Sequence, residues 1–136
     1  LDSFKAYNDK FGHQKGVKLL RGLANVILDN IRKDVDSAYR YGGDEFVIIL
    51  PHASRQQALM VAQWLLSSFS KRSVSSTGLS IGFAKLEGSG ETLKENLESL
   101  IRKADQAAYR AKINGGNQVC DEQGQSASPR LSLIYI

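Results

Sequence analysis

Cysteine occurs once, at Cys120, so neither a disulfide framework nor a cysteine-based zinc site organises this chain. No apolar run exceeds a handful of residues, which excludes a membrane-spanning helix. No basic, apolar, small-residue leader opens the chain, so no secretion signal is expected. The first residue is Leu rather than Met, and the chain reads as a piece of something longer. Neither sign of charge dominates: 18 Lys and Arg against 14 Asp and Glu give +4. The basic residues are scattered, whereas a nucleic-acid binder gathers them on one face. A solvated mixed surface explains the scatter, and a small positive excess also suits a phosphate-rich small ligand. What is present, 136 residues with 42% hydrophobic and 24% charged, is one ordinary globular domain with one core. A reducing cytoplasm is its natural setting.

Periodicity supplies the elements. Residues 14–33 are predicted helical, with Leu20, Ala24, Ile27 and Ile31 at helical spacing. Residues 37–41 and 45–50 are predicted to form a hairpin. Gly42 and Gly43 would supply the positive φ of a tight turn, and Pro51 would end the second strand. Ser54 caps a predicted helix to about residue 71. Residues 77–84 alternate as a strand, with Leu79, Ile81 and Phe83 on one face. Residues 92–113 form a third long helix, stopped by Gly115 and Gly116. Residues 117–120 suit a short edge strand, 121–130 are linker-like, and 131–136 (LSLIYI) are strongly strand-forming. The mixture predicts an α/β (α+β) fold, a mainly antiparallel sheet flanked by helices.

Three clusters carry chemistry. Asp44 and Glu45 sit beside two glycines. They fit a polar hairpin tip, or a turn that lets a ligand approach while Asp44 offers a hard oxygen to Mg2+ beside phosphates. Asp2, Lys5, Asn8 and Asp9 fit a capped short helix with Asp2 as cap. They also fit a phosphate-holding loop in which Asn8, donor and acceptor together, reads a purine edge. Lys112, in the last turn of a predicted helix, fits either a dipole partner or a phosphate clamp.

Four ordered segments carry a resemblance. They are Asp2-x-Phe4-Lys5-x-x-Asn8-Asp9-x-x-Gly12-His13-x-x-Gly16, Arg40-Tyr41-Gly42-Gly43-Asp44-Glu45-Phe46, Leu79-Ser80-Ile81-Gly82, and Ala104-Asp105-x-Ala107-x-Tyr109-x-Ala111-Lys112. Together they resemble the GGDEF domain, the catalytic domain of diguanylate cyclases, with a palm-like nucleotidyl cyclase fold. The resemblance implies that two such domains face each other as a homodimer, each holding one GTP. With Mg2+ (or Mn2+), they condense the two GTP into cyclic di-GMP and release pyrophosphate. It implies Asp44 as metal ligand and catalytic carboxylate, with Glu45, its neighbour in the signature, as the second catalytic residue. Gly42 and Gly43 would make room for the nucleotide, Asn8 would contact guanine, Phe4 and Lys5 would line the phosphate loop, and Lys112 would bind terminal phosphates. The backbone carbonyl of Leu1 falls where the family uses one on the metal. An upstream sensory or regulatory domain, a cytoplasmic setting, and no nucleic acid or membrane contact follow from the same resemblance.

The chain departs from that family in four places. Val17 stands where the family has an Asp that pairs with guanine, and losing a charged acceptor costs about 1.5–3 kcal/mol. Gly116 stands where an Arg accompanies Lys112. The family's product-inhibition pattern Arg-x-x-Asp falls on Lys33 and Asp36, and a second arginine falls on Trp64, so feedback inhibition is expected to be weak or absent. The first Asp of an Asp-x-Asp pattern would precede Leu1, and so would the family's first strand. Residues 131–136 read like that strand filed at the other end. The organisation is therefore read as a GGDEF domain over 1–120, a linker-like 121–130, and a first core strand at 131–136 in permuted order. An unrelated tail is the alternative for the last segment. Three functions remain open: a diguanylate cyclase, a degenerate domain that binds nucleotide or a partner without catalysis, and a cyclase of altered base specificity that makes mixed cyclic dinucleotides.

Overall fold

A computed structural model describes residues 1–72, 77–86, 92–122 and 131–136. In chain order the elements are α1 (Phe4–Phe11), α2 (His13–Asn30), β1 (Ser37–Arg40), β2 (Phe46–Pro51), α3 (Arg55–Arg72), β3 (Ser80–Lys85), α4 (Leu93–Ile113), β4 (Gln118–Asp121) and β5 (Leu131–Tyr135). The strands form one sheet in the order β1-β2-β5-β3-β4. Only the β3–β4 pair is parallel, joined through α4, so the predicted mixed fold with a mainly antiparallel sheet stands.

The last strand occupies the centre of the sheet. β5 pairs antiparallel with β2 and with β3, setting Tyr135 opposite Val47 on one side and Gly82 on the other. Beyond the strand, Ile136 and Phe46 exchange both backbone hydrogen bonds at 2.9 Å. Ile134 and Ile136 are sealed in the core, as is Leu1 at the opposite end of the chain.

Two apolar layers sandwich the sheet. On one face Leu20, Leu23, Val26 and Ile27 of α2 and Ala58, Leu65 and Phe69 of α3 pack against Ile48, Leu50, Ile81, Phe83 and Ile134. On the other, Leu100, Ala104 and Ala108 of α4 cover Val47, Ala84, Leu133 and Tyr135. The second layer is thin because α4 presents alanines, which let its backbone lie almost on β3. A Cβ on Gly82 would sit 2.1 Å from the Ala104 carbonyl oxygen and 2.2 Å from the Ala108 nitrogen.

Several local expectations are corrected. α2 ends at Asn30 rather than 33, where Asn30 Nδ2 donates to the Val26 carbonyl (2.7 Å) and Ile31 turns extended. Gly42 and Gly43 are not among the residues with positive φ. A loop from Tyr41 to Glu45, closed by Tyr41 N–H to the Glu45 carbonyl (2.8 Å), makes the turn without them. Asp2 does not cap α1: Ser3 holds the cap position at φ 53° with no side-chain cap bond, and the Asp2 carboxylate is engaged elsewhere. The anticipated Ser54 cap is present, with Gln57 N–H donating to Ser54 Oγ at 3.1 Å. Gly115 and Gly116 do end α4 at positive φ, 110° and 73°. Asp121 belongs to β4 rather than to a linker, and most of the expected linker, 123–130, lies outside the described residues.

Gly82→Ala is expected to destabilise the domain by at least about 3 kcal/mol, because backbone atoms of α4 occupy the added methyl's place. Chemical denaturation of the variant beside Gly78→Ala, which meets a side chain rather than backbone, measures it; equal losses would refute the α4 contact as the cause.

Candidate nucleotide site

Residues from two of the motifs and the helix that follows the first meet in one cavity of about 660 Å³ between α1, α2 and the β1–β2 hairpin. Phe4 and Asn8 come from α1, Val17 from α2, and Gly43 and Asp44 from the hairpin loop. Leu20, Ala24 and Ile27 floor it, so it is mainly apolar with a few polar groups at the rim, the usual make-up of a small-molecule pocket. Three further wall residues escaped sequence reasoning: His13, Arg21 and Arg40. Their signal was available for two of them. His13, Val17 and Arg21 stand four residues apart and share one face of α2.

Asn8 is set by a glycine. A Cβ on Gly16 would lie 1.7 Å from Asn8 Oδ1, so α2 must start without a side chain there. Asn8 Oδ1 is buried and has no hydrogen-bond partner among the described residues. A buried acceptor left unpaired costs about 1–3 kcal/mol, and a donor brought by a ligand relieves it.

The hairpin loop turns its paired carboxylates in different directions. Asp44 and Phe46 face the cavity, whereas Glu45 is turned away from it. Glu45 accepts a hydrogen bond from the Tyr135 hydroxyl, and Tyr41 packs edge-on against the Tyr135 ring at 5.8 Å. Burial first, then the Glu45 charge and hydrogen bond, push the Tyr135 phenol well above its ordinary range. The two signature glycines also differ. Gly43 opens on the cavity, and a Cβ there would meet nothing within 4 Å. Gly42 instead leaves room for Glu45, whose Oε2 would lie 2.5 Å from its Cβ. Arg40 clasps this loop from its own strand, donating to the Gly43 carbonyl through Nη2 (2.6 Å) and Nε (3.0 Å).

Leu1 lies within electrostatic reach of Asp44, Lys112, Asp2 and Glu45. Asp44 and Lys112, an exposed residue in the last turn of α4, are thus both within reach of Leu1. Lys5 is exposed on the first turn of α1, outside the cavity wall. For a divalent cation, the carboxylate that the cavity wall offers is Asp44. No group of three or more His, Cys, Asp or Glu residues suited to a metal occurs among the described residues. A single wall carboxylate suits a hard cation that is held largely by substrate phosphates and waters.

Lys33 and Asp36, on which the product-inhibition pattern falls, do not line the cavity. Asp36 is held by Arg32, whose guanidinium reaches it at 2.7 and 3.1 Å and whose backbone N–H reaches it at 2.7 Å. The same guanidinium donates to the Pro51 carbonyl (2.7 Å). The Asp36 side chain is 1% exposed, so its acceptors are already used inside the fold.

The family described as "Diguanylate cyclase, GGDEF domain" matches residues 1–118. The chain is 37% identical over 126 residues to "Diguanylate cyclase DosC" of Escherichia coli K12, covering 88% of this chain and 26% of that protein. It therefore spans about a quarter of the length of the curated relatives it matches. The "active GGEEF domain of a diguanylate cyclase from Vibrio cholerae" superposes with a TM-score of 0.77 at 30% identity, over 91% of this chain and 79% of that one. The GGDEF domain of DgcB from Caulobacter crescentus, solved in complex with c-di-GMP, superposes with a TM-score of 0.71 at 26% identity, over 90% and 74%. With the motifs and the sheet in agreement with these matches, this chain belongs to the diguanylate cyclase GGDEF domain family.

Proposed function

We propose that this domain, in its parent protein, condenses two GTP molecules into cyclic di-GMP and releases two pyrophosphates. The observation that carries the reading is the convergence of Phe4, Asn8 and Val17 from the start of the chain with Gly43 and Asp44 of the hairpin loop on one cavity. That cavity is of the size for one nucleotide, while the reaction needs two. Two copies must therefore face each other, so the active form is a homodimer arranged by domains beyond this chain. Among the described residues no helix is long and apolar enough to cross a membrane, and a cytoplasmic setting suits the GTP supply.

The residues divide the work as follows. Asn8 offers its buried Oδ1 to an N–H of the base. Gly43 admits the nucleotide against the hairpin backbone, and Arg40 keeps that loop fixed. Phe4 seats α1 against the cavity, and Lys5 and Lys112 supply positive charge for the phosphates from the ends of two helices. Asp44 and the Leu1 carbonyl would hold the divalent cation, Mg2+ or Mn2+, which when bound neutralises phosphate charge and makes the 3′-hydroxyl easier to deprotonate. Glu45, hydrogen-bonded to Tyr135, adds negative charge at the same end and fixes the loop. The 3′-oxygen of one nucleotide bonds to the α-phosphorus of the other, the bond to pyrophosphate breaks, and the hydroxyl proton leaves to solvent. The Arg32–Asp36 pair fills the acceptors a product would need, which supports weak feedback inhibition.

A second reading concerns the base. Val17 lines the cavity beside Asn8 and offers neither donor nor acceptor, so a single amide serves the base edge. Amide orientation adapts to either purine, which favours relaxed selectivity and mixed cyclic dinucleotides. The chain order belongs to the same proposal: β5 serves as the first core strand, and one residue joining Ile136 to Leu1 would restore the family's Asp-x-Asp pattern.

Three outcomes test this. Asp44→Asn in the full-length parent is expected to lower cyclic di-GMP formation roughly thousand-fold, followed by mass spectrometry; surviving activity would overturn the role of Asp44. Val17→Asp is expected to raise the preference for GTP over ATP about tenfold or more in competition assays, and an unchanged preference would remove Val17 from the base edge. A permuted chain with Ile136 joined to Leu1 through aspartate, and opened within 123–130, is expected to melt cooperatively with unchanged circular dichroism; a molten product would show that β5 is not a substitute first strand.

A further inference from the structure

Asp2 belongs to none of the roles above, yet its carboxylate is fully engaged. Ser80 Oγ donates to Oδ1 at 2.5 Å, and the Asn117 backbone N–H donates to Oδ2 at 2.8 Å. The Asp2 backbone N–H donates to the Gly78 carbonyl at 2.9 Å. Ser80 is completely buried at the start of β3. Asn117 follows the turn that closes α4, where Gly116 N–H bonds the Ala111 carbonyl (2.9 Å) and Gly115 N–H bonds the Lys112 carbonyl (3.2 Å). One carboxylate therefore ties three segments together: the Leu1–Lys5 segment, the start of β3, and the exit of α4. The residues around it are shaped for this. A Cβ on Gly116 would lie 2.7 Å from Asp2 Oδ2, and one on Gly78 would lie 2.7 Å from the Asn117 Cβ. Asn117 itself holds a left-handed φ of 50° so that its N–H points at the carboxylate.

We propose that Asp2 is a positioning residue for the phosphate half of the nucleotide site. Lys5 and Lys112 stand more than a hundred residues apart in the chain, and Asp2 is the hydrogen-bonded link between their two segments. Gly116 lies against the same link, with a φ of 73° that favours glycine, in the turn that follows Lys112. This assignment rests on the cyclase reading of the site, and it separates the phosphates, which need the link, from the base, which meets Asn8 in the cavity wall.

The test compares Asp2→Ala, Asp2→Asn and Ser80→Ala in the full-length parent, titrated by calorimetry with a non-hydrolysable GTP analogue and with guanosine. Asp2→Ala is expected to weaken the triphosphate tenfold or more and guanosine less than threefold. Asp2→Asn retains an acceptor for Asn117 N–H and a donor for Ser80 Oγ, so it is expected to restore triphosphate affinity to within threefold of the parent. Equal losses for both ligands, or failure of Asp2→Asn to rescue, would overturn the positioning role. Hydrogen exchange at the Asn117 amide is the independent readout. A parent that binds neither ligand would refute the cyclase reading and the positioning role with it. Slow Asn117 exchange that accelerates in Asp2→Ala would then still uphold the carboxylate link as such, and unchanged exchange would refute that too.

Discussion

β5 hydrogen-bonds to β2 on one side and to β3 on the other, and it is the strand through which those two halves of the sheet meet. The hairpin half carries the Asp44 loop; the β3–α4–β4 half carries Lys112. A two-stranded hairpin is marginal by itself, so each half needs the shared centre to bury its apolar face. Ile134 and Ile136 fill that centre on the α2–α3 side, and Leu133 and Tyr135 fill it on the α4 side. The two-sided burial explains why LSLIYI is almost wholly apolar where a surface strand would alternate.

The site inherits its geometry from that sheet. The end of β5 brings Ile136 to Phe46, and Leu1 lies within electrostatic reach of Asp44. The loop before β2 then separates adjacent carboxylates that look equivalent in sequence: Asp44 faces the cavity, and Glu45 turns to Tyr135. The glycines beside them are likewise unequal, one open to the cavity and one filled by Glu45. Close packing is used where charge has to be placed. Alanines and Gly82 bring α4 down onto β3, and the turn after α4 reaches Asp2.

Much of this was legible in the sequence because it is written in local patterns. Helical spacing predicted α2, α3 and α4, two-residue alternation predicted β3 with Leu79, Ile81 and Phe83 on one face, and the strand character of 131–136 was plain. The Asn8, Val17 and Asp44 cluster followed from a resemblance that spans four motifs. Less was legible where residue types serve more than one purpose. Asp2 looked like a helix cap and is a tether; the hairpin glycines looked like positive-φ turn residues and are not. Asp36 reads as part of a product-inhibition pattern, but the loop after Asn30 turns Arg32 onto it.

The sequence by itself determined the element types, the mixed fold class and the family, since periodicity and motif spacing are properties of the chain read in order. Tertiary structure alone decided which strand lies at the centre, which of two neighbouring carboxylates meets the cavity, and which arginine, helix turn or hydroxyl each acid binds. Those outcomes depend on contacts between residues as far apart as Asp2 and Asn117, and on which way the loop before β2 turns a side chain. A local pattern carries no record of such contacts, because they are selected only when the whole core closes and every buried polar group must find its partner.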